Sequence, residues 1–279
     1  YLDDYRYVAL KNLTRARFFA VQNLTREKQR FMNHLFKKYS TMAQEKVFSD
    51  TFSTTALAVY ESFESAEALA NMDLHQLTEF IIEKGKNRFP DPDSVAKAIQ
   101  KAARSSYRLP KTVNDSVNQV LSISISSMRA MESQIKAFDK AIAEQMALIP
   151  NTLTSVNGIG PVYSAGIIAE IGDINRFPNQ ASLAKYAGLV WSQHQSGDFE
   201  AQNTRMIQSG NRYLKYYLCE AALSLVRCDA EYRSFYHRKY KEVNKYQHKR
   251  ALALTARKLV RLVFRLLKDN CLYRAPESK

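Results

Sequence analysis

Glycine and proline are scarce in this chain, 8 and 7 among 279 residues. So few turn-formers exclude a fold of many short hairpins, each of which needs its own turn residues. Long stretches of Ala, Leu, Lys, Arg, Glu and Gln favour helix instead, and the expected fold class is predominantly all-α. Cysteine is equally sparse. Cys219, Cys228 and Cys271 make no CxxC pair and only 5 His accompany them. That excludes a zinc site and a disulfide framework, and suggests a cytoplasmic protein. No apolar run approaches the roughly 18–20 residues that a membrane span needs, and the start carries no signal-peptide pattern. No membrane is therefore expected as a partner. Acidic residues also fall short, 27 against 41 Lys and Arg, leaving a net charge of +14. A polyanion is the implied partner, nucleic acid first.

What is present is enough for folded cores, since 46% of the residues are hydrophobic, and the length suits one large or two medium domains. The opening run YLDDYRYVALKNLTRARF is already in helical register without an initiating Met, as expected of a fragment of a longer protein. From Tyr5 to Val47, Leu13, Ala20, Leu24, Phe31 and Leu35 recur at steps of seven and four, which predicts one long amphipathic helix. Residues 48–110 break into shorter helical pieces, with Asp73 as an N-cap, Gly85 as a stop and the turn FPDP at Phe89 to Pro92. After Pro110, Val113, Val117, Val120, Ser124, Met128, Met131, Ile135, Phe138, Ile142 and Met146 predict a second long helix. The two stripes suit an antiparallel coiled coil within the chain or a seam with a second copy. Pro150 and a change of composition predict a boundary. Residues 1–150 would form a coiled-coil region with an inserted helical subdomain at about 48–110, and 151–279 a second domain of short helices.

The charge excess is local. Between Arg233 and Lys268 stand twelve Lys or Arg and one acidic residue, Glu242. At 100° per residue, Leu252, Ala256, Leu259, Val263 and Leu266 share one helix face, and Arg250, Arg257, Arg261, Arg265 and Lys268 share the opposite one. A charged face is usually just solvated, yet a single-sign stripe repels itself, and a phosphate backbone would neutralise it. Tyr232, Tyr236, Tyr240 and Tyr246 lie among these charges. Their spacing suits half-buried packing and also suits stacking on unpaired bases. Upstream, VNGIGPVYSAGIIAEIGD has the form helix end, Gly158-Ile159-Gly160, then an apolar helix from Pro161. That pattern predicts a helix-hairpin-helix-like element with N–H groups for a phosphate, or else a bare αα corner.

The segment LTSVNGIGPVYSAGIIAEIGDINRFPNQASLAKYAGL, followed by HQSG and SGNRYLKYYLCEAA, closely resembles the C-terminal domain of the one-ten family of insertion-sequence transposases, relatives of the Piv-type DNA invertases. The likeness runs over about Leu153 to Ala222. It implies a DNA recombinase guided by a structured bridge RNA, working through a covalent phosphoserine. It also implies an N-terminal RuvC-like domain with a DEDD set of acidic ligands for Mg²⁺. That domain is absent here, so this chain is expected to bind no metal and to be inactive alone. A homo-oligomer is implied by the same likeness, a dimer through the coiled coil and a tetramer on nucleic acid. Ser196 of QSG takes the position of the family's catalytic serine. Arg205, Arg212 and Lys215 flank it in sequence as candidates for phosphate binding, while Ser209 reads as a turn residue before a helix capped by Asn211. One departure is clear: where the family commonly has a Ser-Lys pair before the Gly-Asn, this chain has Ile207 and Gln208. Two readings compete. One is a non-catalytic helix-hairpin-helix nucleic-acid-binding or scaffolding protein, the other a coiled-coil adaptor for acidic proteins.

Overall fold

The computed structural model describes residues 4–45, 47–192, 195–196, 199–200 and 206–274. Twelve α-helices occur among the described residues: α1 (Tyr5–Lys38), α2 (Ser40–Gln44), α3 (Thr54–Ser62), α4 (Ala66–Asn71), α5 (Leu74–Gly85), α6 (Pro92–Arg104), α7 (Lys111–Met146), α8 (Pro161–Ile171), α9 (Gln180–Tyr186), α10 (Arg212–Cys228), α11 (Ala230–Lys241) and α12 (Gln247–Lys268). The all-α expectation holds, with one addition: strands β1 (Gln195–Ser196) and β2 (Phe199–Glu200) pair antiparallel. Contacts divide the chain into two units, residues 20–135 and residues 1–19 with 136–279. The division does not fall at residue 150, where the composition changes. The end of α7 belongs with the C-terminal helices because Ile142, Met146 and Ile149 enter the same core as Leu153 and Ile168.

In the unit of residues 20–135, segments of α1 and α7 are bridged by Ser124, whose hydroxyl donates to Glu27, and by the ion pair of Lys28 and Glu132 at 3.4 Å. The predicted first helix does not run unbroken to Val47. It stops at Lys38 because Tyr39 leaves helical geometry (φ −133°, ψ 69°), burying its ring completely while its hydroxyl donates to Phe63 O at 3.2 Å. The predicted stripe of α7 packs through Val117, Ser124 and Met128 and is widened by Leu121 and Ile125. Val117, Leu121, Ile125 and Met128 are buried, whereas Val113 and Val120 remain exposed. Each helix of the insertion starts on a side-chain cap: Ser53, Ser65, Asp73 and Asp91 accept from the N–H groups of Ala56, Ala68, Gln76 and Ser94. Each such cap satisfies one N–H that the first turn leaves without a helical partner. Gly85 ends α5, but the left-handed residues are Lys86 and Asn87. What Gly85 allows is packing, since a Cβ there would lie 2.5 Å from the Phe89 ring.

Lys38 is the chemically unusual residue of this unit. It is 2% exposed, and its ammonium donates to the carbonyls of Tyr60, at 2.9 Å, and of Phe63. Burial pushes its pKa from 10.5 down to about 8. A lysine so depressed is neutral in the native state above pH 8 while the unfolded chain still holds the proton, so the native state gains stability as pH rises toward 10.5. Below pH 8 the buried charge is a standing cost. Denaturant unfolding of wild type and Lys38→Met from about pH 7 to about pH 10 is expected to show wild type gaining on the variant as pH climbs. Taking the difference removes other groups that titrate in the same range, and a flat difference would refute the assignment.

In the other unit, α10 packs against α8, α11 and α12, and its Leu214, Leu218, Ala221 and Leu225 are buried. The alignment of α1 and α7 is antiparallel here, with Arg6 donating to Leu148 O at 3.4 Å and Arg17 paired with Asp139. Tyr217 ties α10 to α1 by donating to Thr14 O at 2.7 Å. Among the described residues, no helix is long and apolar enough to cross a membrane.

Candidate functional site

Helix α9 is started by Asn179, whose side chain accepts from Ser182 N, and it hands the chain to Gly188. There the backbone turns left-handed (φ 68°), and it meets Gly210 (φ 117°) returning toward α10. A Cβ on Gly210 would lie 2.6 Å from Gly188 N, and one on Gly188 2.5 Å from Ser209 O, so two backbones cross where no side chain fits. Above the crossing, Ile207 N donates to Val190 O at 3.0 Å and Trp191 bridges Met206 antiparallel. Farther along lie β1 and β2, in which Gln195 faces Glu200 and Ser196 faces Phe199. Between α9 and α10 the described residues thus pair as a hairpin at its root and in its outer ladder. Ser196 is the last residue of β1. Its side chain lies outside the described residues, as does Arg205 altogether.

The root of the hairpin is tied to a buried charge network. Glu170 on α8 is 0% exposed. Its carboxylate accepts from Arg15 Nε at 2.7 Å and Nη2 at 2.9 Å, and from Asn211 Nδ2 at 2.7 Å. Asn211 also caps α10 as expected, its Oδ1 accepting from the N–H groups of Tyr213 and Leu214, both at 3.0 Å. The same side-chain amide donates to Tyr186 OH, and Asn211 N donates to Tyr186 O at 2.7 Å. One residue thus starts α10, closes the crossing and completes the solvation of a buried carboxylate. Arg15 lies over the Tyr213 ring, 4.4 Å from its centroid, and its hydrogen bond to Glu170 raises its pKa further. Sequence reasoning missed Arg15, Glu170 and Tyr186. The available signal was Glu170 itself, one acid inside the apolar run VYSAGIIAEI, because a buried carboxylate requires partners.

The predicted cations divide into tethered and open groups. Arg212 is exposed at the start of α10, stacked 4.8 Å from the Tyr213 ring centroid, and Lys215 is half-buried one turn later. On α12, Arg250 is not open: it pairs with Glu242 at 2.9 Å and donates to Lys239 O. Arg257 is half-buried and donates to Gln180 O at 3.4 Å. Burial, and then the neighbouring charge of Arg261, depress its pKa, so this stretch has positive charge without local compensation. Arg261, Arg265 and Lys268 are exposed, although Lys268 reaches Asn175 Oδ1 at 2.8 Å and Arg265 lies 3.9 Å from Asp269. The rail is real but shorter than its helical-wheel outline.

The GIGP hairpin differs from its expected form in what precedes it. The leading element is a single 3₁₀ turn, Leu153–Ser155, and α8 begins at Pro161. Gly158 (φ 103°) packs against the end of α10, where a Cβ would sit 3.2 Å from Cys228 Cβ. A Cβ on Gly160 would meet nothing within 4 Å. Gly158 is accordingly needed by the fold, while Gly160 leaves an exposed, open surface at the N-terminus of α8. No group of three or more His, Cys, Asp or Glu among the described residues could hold a metal ion, and Cys219, Cys228 and Cys271 are free thiols.

Residues 151–237, which include the hairpin, its crossing and α10, match the sequence model described as "Transposase IS116/IS110/IS902 family". The chain is 32% identical over 145 residues to the "Insertion element IS110 uncharacterized 43.6 kDa protein" of Streptomyces coelicolor, covering 52% of this chain and 34% of that protein. It is 27% identical over 240 residues to the "Insertion element IS116 uncharacterized 44.8 kDa protein" of Streptomyces clavuligerus, covering 83% and 57%. A "Probable family 20 transposase" of Pseudomonas aeruginosa is 31% identical over 100 residues, covering 36% and 28%. The chain thus spans between 28% and 57% of the length of these curated relatives.

Proposed function

We propose, from the match of residues 151–237 to the IS116/IS110/IS902 transposase family, that the chain forms the coiled-coil and serine-bearing part of an RNA-guided DNA recombinase. Ser196 Oγ attacks a DNA phosphorus, the displaced deoxyribose hydroxyl leaves with a proton, and the serine is left as a phosphodiester. A hydroxyl from another strand attacks the same phosphorus, releases the serine and seals the new junction. Bond energy is stored in the covalent intermediate, so no nucleotide cofactor is consumed. The observation that carries this reading is the hairpin, which brings the QSG segment out from a sterically fixed glycine crossing braced by Glu170 and Asn211. Arg212, Lys215 and the exposed cations of α12 belong to the same unit and suit a phosphate backbone. They give affinity without sequence information, so choice of target and donor DNA falls to the bridge RNA.

Mg²⁺ would supply charge neutralisation at the phosphate. The described residues offer it no cluster of ligands, and in this reading the acidic ligands are those of the RuvC-like domain that the family resemblance implies. For the homo-oligomer, support comes from α7 in the unit of residues 20–135, where Val113, Val120 and Ile123 stand 44%, 40% and 60% exposed. Their spacing of seven and three is that of a seam for a second copy.

The test uses the full-length transposase with its RNA, Mg²⁺ and an end-labelled DNA junction, stopped in denaturant. A labelled protein–DNA adduct that survives denaturation and disappears as product forms is expected. Recombination that proceeds with no adduct at any time would overturn the phosphoserine mechanism.

A further inference from the structure

The four tyrosines among the C-terminal charges do not share one role. Tyr232 and Tyr236 are buried at 4% and 9% exposure, whereas Tyr246 is 80% exposed. Tyr246 is also left-handed (φ 54°, ψ 28°), and it occupies the N-cap position of α12 without making a side-chain cap. Left-handed backbone is unfavourable for a residue with a Cβ, and glycine or asparagine adopts it more readily. A large ring is thus held in solvent on a strained backbone, with neither packing nor capping in return.

Beside it lies a cavity of about 730 Å³. Glu242, Lys245 and Tyr246 line it from the turn between α11 and α12, Arg250 from the first turn of α12, and Trp191 and Met206 from the root of the hairpin. Trp191 is the only tryptophan of the chain. From Arg238 to Arg250 there are six Lys or Arg and a single acid. That acid, Glu242, is already engaged by Lys239 at 2.6 Å and Arg250 at 2.9 Å. Two aromatic side chains, a thioether and a cationic rim are what an unpaired base attached to a phosphate backbone requires. A paired duplex offers no free base faces, and an acidic peptide would use the rim but not the rings.

We propose that this cavity holds an unpaired nucleobase against Tyr246 and Trp191, with the adjoining phosphate on Lys245. The site rests on the nucleic-acid reading of the C-terminal charge and is independent of the role of Ser196. At the root of the serine hairpin it grips a strand that has left its duplex.

Trp191 emission reports the event directly. The 279-residue chain is titrated at low salt with single-stranded oligothymidylate and with an abasic oligonucleotide of equal length. The base-bearing strand is expected to quench Trp191 and to bind about 10-fold more tightly than the abasic strand, in keeping with stacking on aromatic side chains. Tyr246→Gly removes the ring and relaxes the backbone, so its melting temperature should not fall. Its affinity for oligothymidylate should fall about 10-fold, and its affinity for the abasic strand should not change. Equal binding and quenching by the two strands would reduce the site to phosphate contacts and overturn the proposal, as would Tyr246→Gly binding like wild type. If neither strand bound, the nucleic-acid reading of this surface would fall with it.

Discussion

If the proposed mechanism holds, Ser196→Ala in the full-length protein is expected to abolish the denaturant-resistant DNA adduct and to cut strand exchange by roughly 10⁴–10⁶-fold, the scale on which removing a covalent nucleophile acts. Binding of duplex DNA should keep both its strength and its salt dependence. A serine hydroxyl adds nothing to counterion release, which is set by the number of phosphates met by Lys and Arg. This combination separates the nucleophile from the cationic surface. The control is Ser209→Ala. Ser209 is exposed beside the glycine crossing, where its carbonyl lies under Gly188, and its hydroxyl is expected to be dispensable. The reverse outcome, in which Ser209→Ala destroys the adduct and Ser196→Ala retains it, would move the chemistry from the hairpin to its root. Full activity in both variants would remove Ser196 and Ser209 from the mechanism. A non-catalytic scaffold predicts that neither variant changes anything measurable.

The helices were legible where local chemistry decides. Asp73 and Asn211 cap the helices after them because a short polar side chain placed before an apolar run has orphan N–H groups within reach. The break at Tyr39 was not legible, because it depends on a ring finding a buried position beside Tyr60 and Phe63, residues more than twenty positions away in sequence. The α7 stripe was legible in Val117, Ser124 and Met128 but not in its extension to Leu121 and Ile125, since a period gives a stripe but not the neighbour that widens it. In the hairpin, Ser196-Gly197-Asp198-Phe199 does carry a Gly-Asp pair of the kind short hairpin connections use. Its flanks lack alternating apolar residues, so the signal reads equally as a loop. The α12 rail was read correctly as a pattern of charge, but which cations are tethered depends on Glu242, Gln180 and Asn175, all outside that helix. Tyr246 separated from the other tyrosines only once its backbone and exposure were known.

Glu170→Ala should be among the most damaging single changes to the unit of residues 1–19 and 136–279. The carboxylate is completely buried and accepts three side-chain hydrogen bonds, two from Arg15 and one from Asn211. Removing one partner of such a pair leaves charge and polarity without solvent or counterion, at about 3–5 kcal/mol. The Arg15 side chain is 40% exposed and regains some hydration, which argues for the lower end of that range. In a unit of this size, about 3 kcal/mol lowers the melting temperature by roughly 6–12 °C. Glu170→Gln keeps the shape but loses the charge, so it should fall between alanine and wild type. Arg15→Met with Glu170→Met replaces the ion pair by apolar contacts, and it should recover stability relative to Glu170→Ala. It should not recover strand exchange. Asn211 would still lack the acceptor that holds it to α8, and Asn211 fixes both the start of α10 and the backbone crossing from which the serine hairpin departs. A double variant restored in melting temperature yet defective in adduct formation, measured well below that temperature, would assign the network to positioning the hairpin. Restoration of both would make it a structural ion pair only, and a Glu170→Ala variant within about 1 kcal/mol of wild type would contradict the buried-charge argument itself.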